Sequence, residues 1–369
     1  MKLRIVSLFC ALILLFSLAA CGNKSGNETV TTEKNTGTSA GTASGEVTTE
    51  APETPADPVA VRVFTLNGTT GFGMAKLMED AANGAFETET YTVSVKTDAT
   101  EVNAALISGD VDIAALPTNA ASVLYNKTKG GVKILAINTL GCLHLISNNG
   151  TEIKSIADLA GKTVYVPAQN PYFLFTHICE ANGLKIGTDV TVLTTFAAPA
   201  DLQTRFVQGA KITGSSDEVA LAVLPEPIVT AATNAAKKNG VTVTDCLDLT
   251  VEWDKLEGHK DTLVQGCVVV RTAFLEAHPE AVAHFMTAYR ASVEYVNTNV
   301  VEAAALIVKH GIFASEPVAK SAIPRCNIAY LEGAAMKTAM QKYLQVLLGV
   351  NATAIGGALP ADDFYFIAS

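Results

Sequence analysis

The chain has 369 residues, is 49% hydrophobic by composition and carries a formal net charge of −10 at pH 7. That acidic balance, without any cluster of arginine or lysine, excludes a nucleic-acid-binding face, because phosphates need a basic surface. The length allows one large or two medium lobes with proper cores, and an acidic solvated surface accounts for the charge.

The first element in chain order is a leader. Lys2 and Arg4 precede an apolar run over residues 5–16, which ends in Leu18-Ala19-Ala20-Cys21-Gly22. A charged start, a short apolar core and a small-residue cleavage site predict a secretory signal peptide over residues 1–20, too short and wrongly flanked to span a bilayer. Leu18-Ala19-Ala20-Cys21 also resembles the bacterial lipobox, in which cleavage precedes the cysteine and a lipid is attached to its sulfur. Cys21 is therefore expected to be the lipidated first residue of the mature protein, anchoring it to the outer face of the cell membrane. Residues 21–58 are rich in Thr, Ser, Gly, Glu, Asn and Pro and hold no aromatic residue. Such a stretch cannot bury enough apolar surface to offset its ordering entropy and is expected to be a disordered tether.

The folded body starts with an apolar strand over Val59–Leu66, stopped by Asn67-Gly68-Thr69-Thr70-Gly71, after which Met74, Leu77 and Met78 share one helix face. Residues 91–96 alternate as a strand and 101–108 form a short helix. Residues 112–116 are a buried strand closed by Pro117, with Thr118 placed to cap the next helix, and 132–138 supply another apolar strand. The alternation restarts after 143–147. It continues through a short helix over 155–162, strand 163–167, helix 172–182, strand 190–194, helix 201–208, strand 219–224 and helix 227–238. A last apolar strand at 263–271 precedes a mostly helical stretch over 279–299, 301–310 and 331–348.

Strands alternating with helices predict an α/β fold with parallel-type sheets. An internal echo supports two similar lobes: residues 112–117 and 219–225 are each an apolar strand ended by Leu-Pro before a helix. The change to helical texture fits a second lobe, 144–263, inserted into a first made of 59–143 plus 264–369.

Five cysteines follow Cys21: Cys142, Cys179, Cys246, Cys267 and Cys326. An odd number leaves at least one thiol unpaired, and the irregular spacing shows no CxxC metal pattern. Buried free thiols are the preferred reading, with a Cys142 to Cys267 bridge as the alternative. No metal or other cofactor is expected. Gly68, Gly71 and Gly73 match neither G-x-G-x-x-G nor a P-loop, and neither H-E-x-x-H nor G-x-S-x-G occurs. His144, His177, His259, His278, His284 and His310 show no ligand spacing, and Asp362-Asp363 reads as a solvated turn.

Three segments in order resemble the bacterial ABC-transporter substrate-binding lipoproteins of the nitrate, sulfonate, taurine and thiamine-precursor group. They are Ser108-Gly109-Asp110-Val111-Asp112-Ile113-Ala114, residues 156–166 from Ile156 to Val166, and Val223-Leu224-Pro225-Glu226-Pro227. The resemblance spans roughly residues 60 to 310. It implies a type II periplasmic-binding-protein fold, two α/β lobes joined by two hinge strands, here near 142–148 and 263–271, with ligand in the cleft. It also implies a small-molecule ligand, a partner permease and ATPase encoded elsewhere, action as a monomer and no catalysis. A secreted enzyme on the same fold, or a ligand sensor without transport, are the alternatives. The cysteine-rich active segment of the related thiamine-pyrimidine-forming enzymes is missing here.

In open α/β sheets ligands sit beyond the carboxyl ends of strands, against helix N-termini. Four such ends supply candidates: Asn67, Gly68, Thr69, Thr70 and Phe72; Thr118 and Asn119; Gln169, Asn170 and Tyr172; and Glu226. Each polar residue could equally serve as a helix cap or turn former. None of these loops carries arginine or lysine, so a neutral or amine-bearing solute suits them slightly better than an anion. Trp253 is expected to pack near the hinge rather than to stack on ligand.

Overall fold

The computed structural model describes residues 57–209 and 218–368; the signal peptide, Cys21 and nearly all of the tether lie outside them. Eleven strands occur among the described residues, in chain order β1 Val59–Leu66, β2 Glu89–Lys96, β3 Ile113–Pro117, β4 Val132–Thr139, β5 Leu143–Ser147, β6 Thr163–Tyr165, β7 Thr191–Leu193, β8 Leu221–Pro225, β9 Thr244–Asp248, β10 Gly266–Arg271 and β11 Ile328–Leu331. They form a six-stranded sheet of order β11-β4-β10-β3-β1-β2 and a five-stranded sheet of order β7-β6-β8-β5-β9.

The two sheets repeat one plan. In the first, β1 runs parallel to β2 and β3, and β10 lies antiparallel between β3 and β4. In the second, β6 runs parallel to β7 and β8, and β5 lies antiparallel between β8 and β9. The echoed segments are therefore equivalent strands, β3 and β8, each between one parallel and one antiparallel neighbour. Their terminal prolines also match, with Pro117 opposite Gly266 and Pro225 opposite Leu143.

The antiparallel members are the strands by which the chain changes sheet. It enters the five-stranded sheet through residues 140–142 and returns ahead of β10. Gln265 joins the two crossings: its side-chain oxygen accepts from the Cys142 amide (2.9 Å), and its own amide donates to the Thr139 carbonyl (2.9 Å). One apolar core runs from Leu66, Leu116 and Ile137 of the first sheet to Leu145, Val164 and Val223 of the second, with Trp253 and Tyr343 among its largest members. Trp253 is buried, and its indole N–H donates to the His259 carbonyl and the Thr262 hydroxyl.

Two of the segments that carried the resemblance are structural anchors. Asp112 is buried at the start of β3 and accepts from the Arg62 amide and guanidinium and from Arg271. Ser155 and Asp158 form a reciprocal capping box. Local differences from the sequence expectations have local causes. The helix after β1 is two pieces, Thr69–Phe72 and Ala75–Ala82. Residues 155–162 hold only a single 3₁₀ turn, Ile156–Leu159. Strand β9 has no signature in the sequence because Thr244-Asp245-Cys246-Leu247-Asp248 lacks an apolar run, as befits an edge strand paired on one side. The last long helix starts at Gly333, since Ile328–Leu331 pairs with β4.

Candidate functional site

The carboxyl ends of strands from both sheets converge on one cavity of about 500 Å³, within the range that holds small organic molecules. The first sheet contributes Asn67 to Thr70 after β1, Thr97 after β2 and Pro117 at the end of β3. The second contributes Ala198 to Ala200 after β7 and Pro225 to Ile228 after β8. Cys142, from the crossing, and Phe313 complete the wall. The chain turns sharply after β1 because Gly71 lacks a side chain; a Cβ there would lie 2.1 Å from the Leu66 carbonyl oxygen.

Two polar links join the loops of the opposed sheets. The Thr69 hydroxyl donates to the Glu226 carbonyl at 2.6 Å, and the Arg325 Nε donates to the Glu226 carboxylate at 2.6 Å. The second carboxylate oxygen of Glu226 accepts from the Thr230 amide at 3.1 Å, capping the helix that follows β8. Glu226 is thus buried, paired and hydrogen-bonded, the only tolerable condition for such a charge. It is the one ionic side chain among the lining residues, so the described wall offers a solute hydroxyls, one amide and apolar surface.

Cys142 is a free thiol whose pKa is pushed up to about 12 by burial and by Glu226. Cys326, 3.7 Å from the Thr69 hydroxyl, is raised as well, chiefly by burial. Neither is activated as a nucleophile, which would require a depressed pKa. Cys267 is also free and buried, so the alternative bridge to Cys142 is not formed.

Of the residues singled out from sequence, Asn67, Gly68, Thr69, Thr70 and Glu226 share this cavity. Phe72 points into the core and meets Phe313, which does line the cavity, edge to face at 6.1 Å. Thr118 is buried, with its hydroxyl donating to the Val264 carbonyl at 2.8 Å, and so fastens its helix to the returning crossing. Asn119 donates to the Ala354 carbonyl. Gln169 takes a positive φ of 69° ahead of the helix Asn170–Ala181, and Asn170 accepts from the Tyr343 hydroxyl at 2.7 Å. Tyr172 lines a separate hollow between that helix and Gly333–Val350, beside His177 and Gln345. The sequence reading missed Thr97, Ala198 to Ala200, Ile228, Phe313 and Arg325. The ends of β2 and β7 gave a signal for the first four; Phe313 and Arg325 come from the helical stretch, where no strand end marks them.

A family model described as NMT1/THI5 like matches residues 74–303. The chain belongs to the NMT1/THI5-like family. That match covers Glu226 and the crossings but not the loop at 67–70, Phe313 or Arg325. No curated protein matches the chain. Among solved structures, an ABC transporter protein from Parabacteroides distasonis is 24% identical, with TM-score 0.67 over 84% of this chain and 99% of that one. The periplasmic aliphatic sulphonate binding protein from Escherichia coli is 16% identical, with TM-score 0.62 over 80% and 94%. The periplasmic nitrate-binding protein from Synechocystis PCC 6803 is 14% identical, with TM-score 0.58 over 81% and 84%. This NMT1/THI5-like chain therefore has the two-lobed periplasmic-binding-protein fold, with two mixed sheets flanked by helices and joined by two hinge strands. Among its described residues no helix is long and apolar enough to cross a membrane, and no group of three or more His, Cys, Asp or Glu side chains could hold a metal ion.

Proposed function

We propose that this protein is an extracytoplasmic solute-binding lipoprotein of an ABC importer. It captures a small organic solute between two lobes, 59–143 plus 264–369 and 144–263, and hands it to a permease driven by an ATPase encoded elsewhere. The observation that carries this reading is the cavity walled by strand-end loops of both sheets and by Cys142 of the first crossing. A solute touching both walls favours the form in which they lie close, by its differential affinity for that form. In this reading Cys21 carries the lipid, 21–58 is the leash, and the protein acts as a monomer without catalysis.

The lining also bears on the solute's charge. Sulphonate and nitrate, named for two structural neighbours, are anions. Here no lysine or arginine is among the lining residues, and the Thr230 amide at a bordering helix N-terminus is already occupied by Glu226. A neutral, thiamine-pyrimidine-like heteroaromatic solute with hydrogen-bonding edges suits threonine hydroxyls, the Asn67 amide and the flat apolar surface of Phe313 better than a sulfonate does. Native mass spectrometry of protein purified from its own cells, followed by a thermal-shift panel of pyrimidines, sulfonates and amines, tests both points. A bound small molecule and a shift with uncharged heteroaromatics are expected. The absence of any bound species together with a flat panel would sink the binding-protein reading; a shift with sulfonates alone would overturn the solute class.

A further inference from the structure

Arg325 occupies an unusual position. It ends the short 3₁₀ turn Ile323–Arg325, between β10 and β11 of the six-stranded sheet, yet its partners belong to the five-stranded sheet. Its Nε donates to Glu226, just after β8, at 2.6 Å; a terminal nitrogen donates to Asp245 of β9 at 2.6 Å and lies 3.4 Å from His144 Nδ1 of β5. One guanidinium thus spans three chain segments of the opposite sheet. Two residues on, Asn327 binds the first crossing directly: its carbonyl accepts from the Leu140 amide, and its side chain donates to the Gly141 carbonyl.

We propose that Arg325 is a positioning residue of the cavity, fixing how the two sheets lie against one another beside the crossings and keeping the Glu226 carboxylate engaged rather than free toward the solute. Three features carry this inference. The Glu226 side chain is wholly buried, so its charge needs the guanidinium; Arg325 itself remains 38% exposed and could separate without entering an apolar phase. Its planar fork serves two carboxylates at once, which a lysine ammonium cannot do with the same geometry. And the Glu226 main chain is held from the same side by Thr69, so the loop after β8 is clamped by the first sheet at both backbone and side chain. Without Arg325 the wall would carry one uncompensated negative charge, and the preference would move from neutral toward cationic solutes.

The inference rests on the binding-protein reading, but its test needs no solute. Small-angle scattering and thermal melting of the ligand-free full-length protein are compared for wild type, Arg325→Met, Arg325→Lys, and Arg325→Met combined with Glu226→Gln. Arg325→Met is expected to shift the scattering to a larger radius of gyration and to lower the melting temperature. Adding Glu226→Gln removes the fully buried one of the two orphaned charges and is expected to recover most of the melting temperature but not the scattering. Arg325→Lys is expected to fall between wild type and Arg325→Met in both. Superposable scattering of wild type and Arg325→Met, or restoration of the scattering by Glu226→Gln, would reduce Arg325 to a shield for a buried charge and overturn the proposal. If Arg325→Met does not fold, the scattering of the double variant decides alone. Failure here leaves solute binding intact, whereas failure of the mass-spectrometric test would remove the reading on which it stands.

Discussion

Asp112 and Glu226 are both buried carboxylates held by arginine, and the two arrangements are inverted. Asp112 is one carboxylate shared by two arginines, Arg62 from β1 and Arg271 from β10, all within the six-stranded sheet. On the other side one arginine, Arg325, is shared by two carboxylates, Glu226 and Asp245, and the bond crosses from one sheet to the other. The first arrangement pins three neighbouring strands of one sheet. The second joins two different sheets, which the proposed solute capture would require to move relative to one another. Similar ion-pair chemistry is therefore a staple in one place and a coupling in the other, and the topology decides which.

The largest test of this contrast is Asp112→Ala. Removing one partner of a buried ion pair leaves the others uncompensated and costs about 3–5 kcal/mol. The figure should fall toward the low end, because Arg62 reaches solvent. Denaturant unfolding should show this loss, while the scattering of the folded fraction should match wild type. A change in scattering comparable to that of Arg325→Met would erase the distinction.

Acid sharpens the same comparison. Burial alone would raise the pKa of Asp112, but hydrogen bonds from Arg62 and Arg271 hold it below the ordinary carboxylate value; Asp245 is lowered likewise, against its burial, by His144 and Arg325. A folded pKa below the unfolded one gives stability that is fully present above the ordinary value, near pH 4, and is lost as pH falls through the folded value. The contribution of these two carboxylates to the unfolding free energy should thus be flat from pH 7 to about 5 and decline below it. Asp112→Asn should remove part of that decline, and an unchanged acid slope in this variant would show that the staple contributes nothing.

Gly141 tests the joint itself. A Cβ there would lie 2.2 Å from the Thr250 hydroxyl and 2.5 Å from Leu263, so the first crossing passes through a gap that only glycine fits. Gly141→Ala should cost about 1–3 kcal/mol through overpacking. Unlike Asp112→Ala, it should also change the ligand-free scattering, since the strain falls where the sheets connect. A stability loss with unaltered scattering would place the pivot elsewhere.

How far the sequence could be read follows the same division. Strands β3 and β8 were legible because central strands covered on both faces are continuous apolar runs, and each is punctuated by Leu-Pro. The loop at 67–70 and Glu226 followed from the rule that ligands sit past such strand ends. Thr118, Asn170 and Tyr172 obey the same rule, yet their side chains turn to Val264, to Tyr343 and to a hollow on another face, directions that no local pattern encodes. Arg325 was least legible. It lies 99 residues beyond Glu226, in a helical stretch whose relation to the second sheet exists only after the chain has crossed back.

Thr69→Val is the smallest and most discriminating change. It keeps the shape of a side chain that lines the cavity and deletes the 2.6 Å link from the first sheet to the Glu226 carbonyl, together with the weaker 3.7 Å contact to Cys326. A single neutral hydrogen bond contributes about 1 kcal/mol net, so unfolding should be only slightly easier. Of the two polar links from the first sheet to the loop after β8, only that of Arg325 would then remain. If the two links act together, combining Thr69→Val with Arg325→Lys should move the scattering further than the sum of the single changes, because neighbouring contacts to one loop are not additive. Strict additivity would mean that backbone and side chain of Glu226 are held independently of one another.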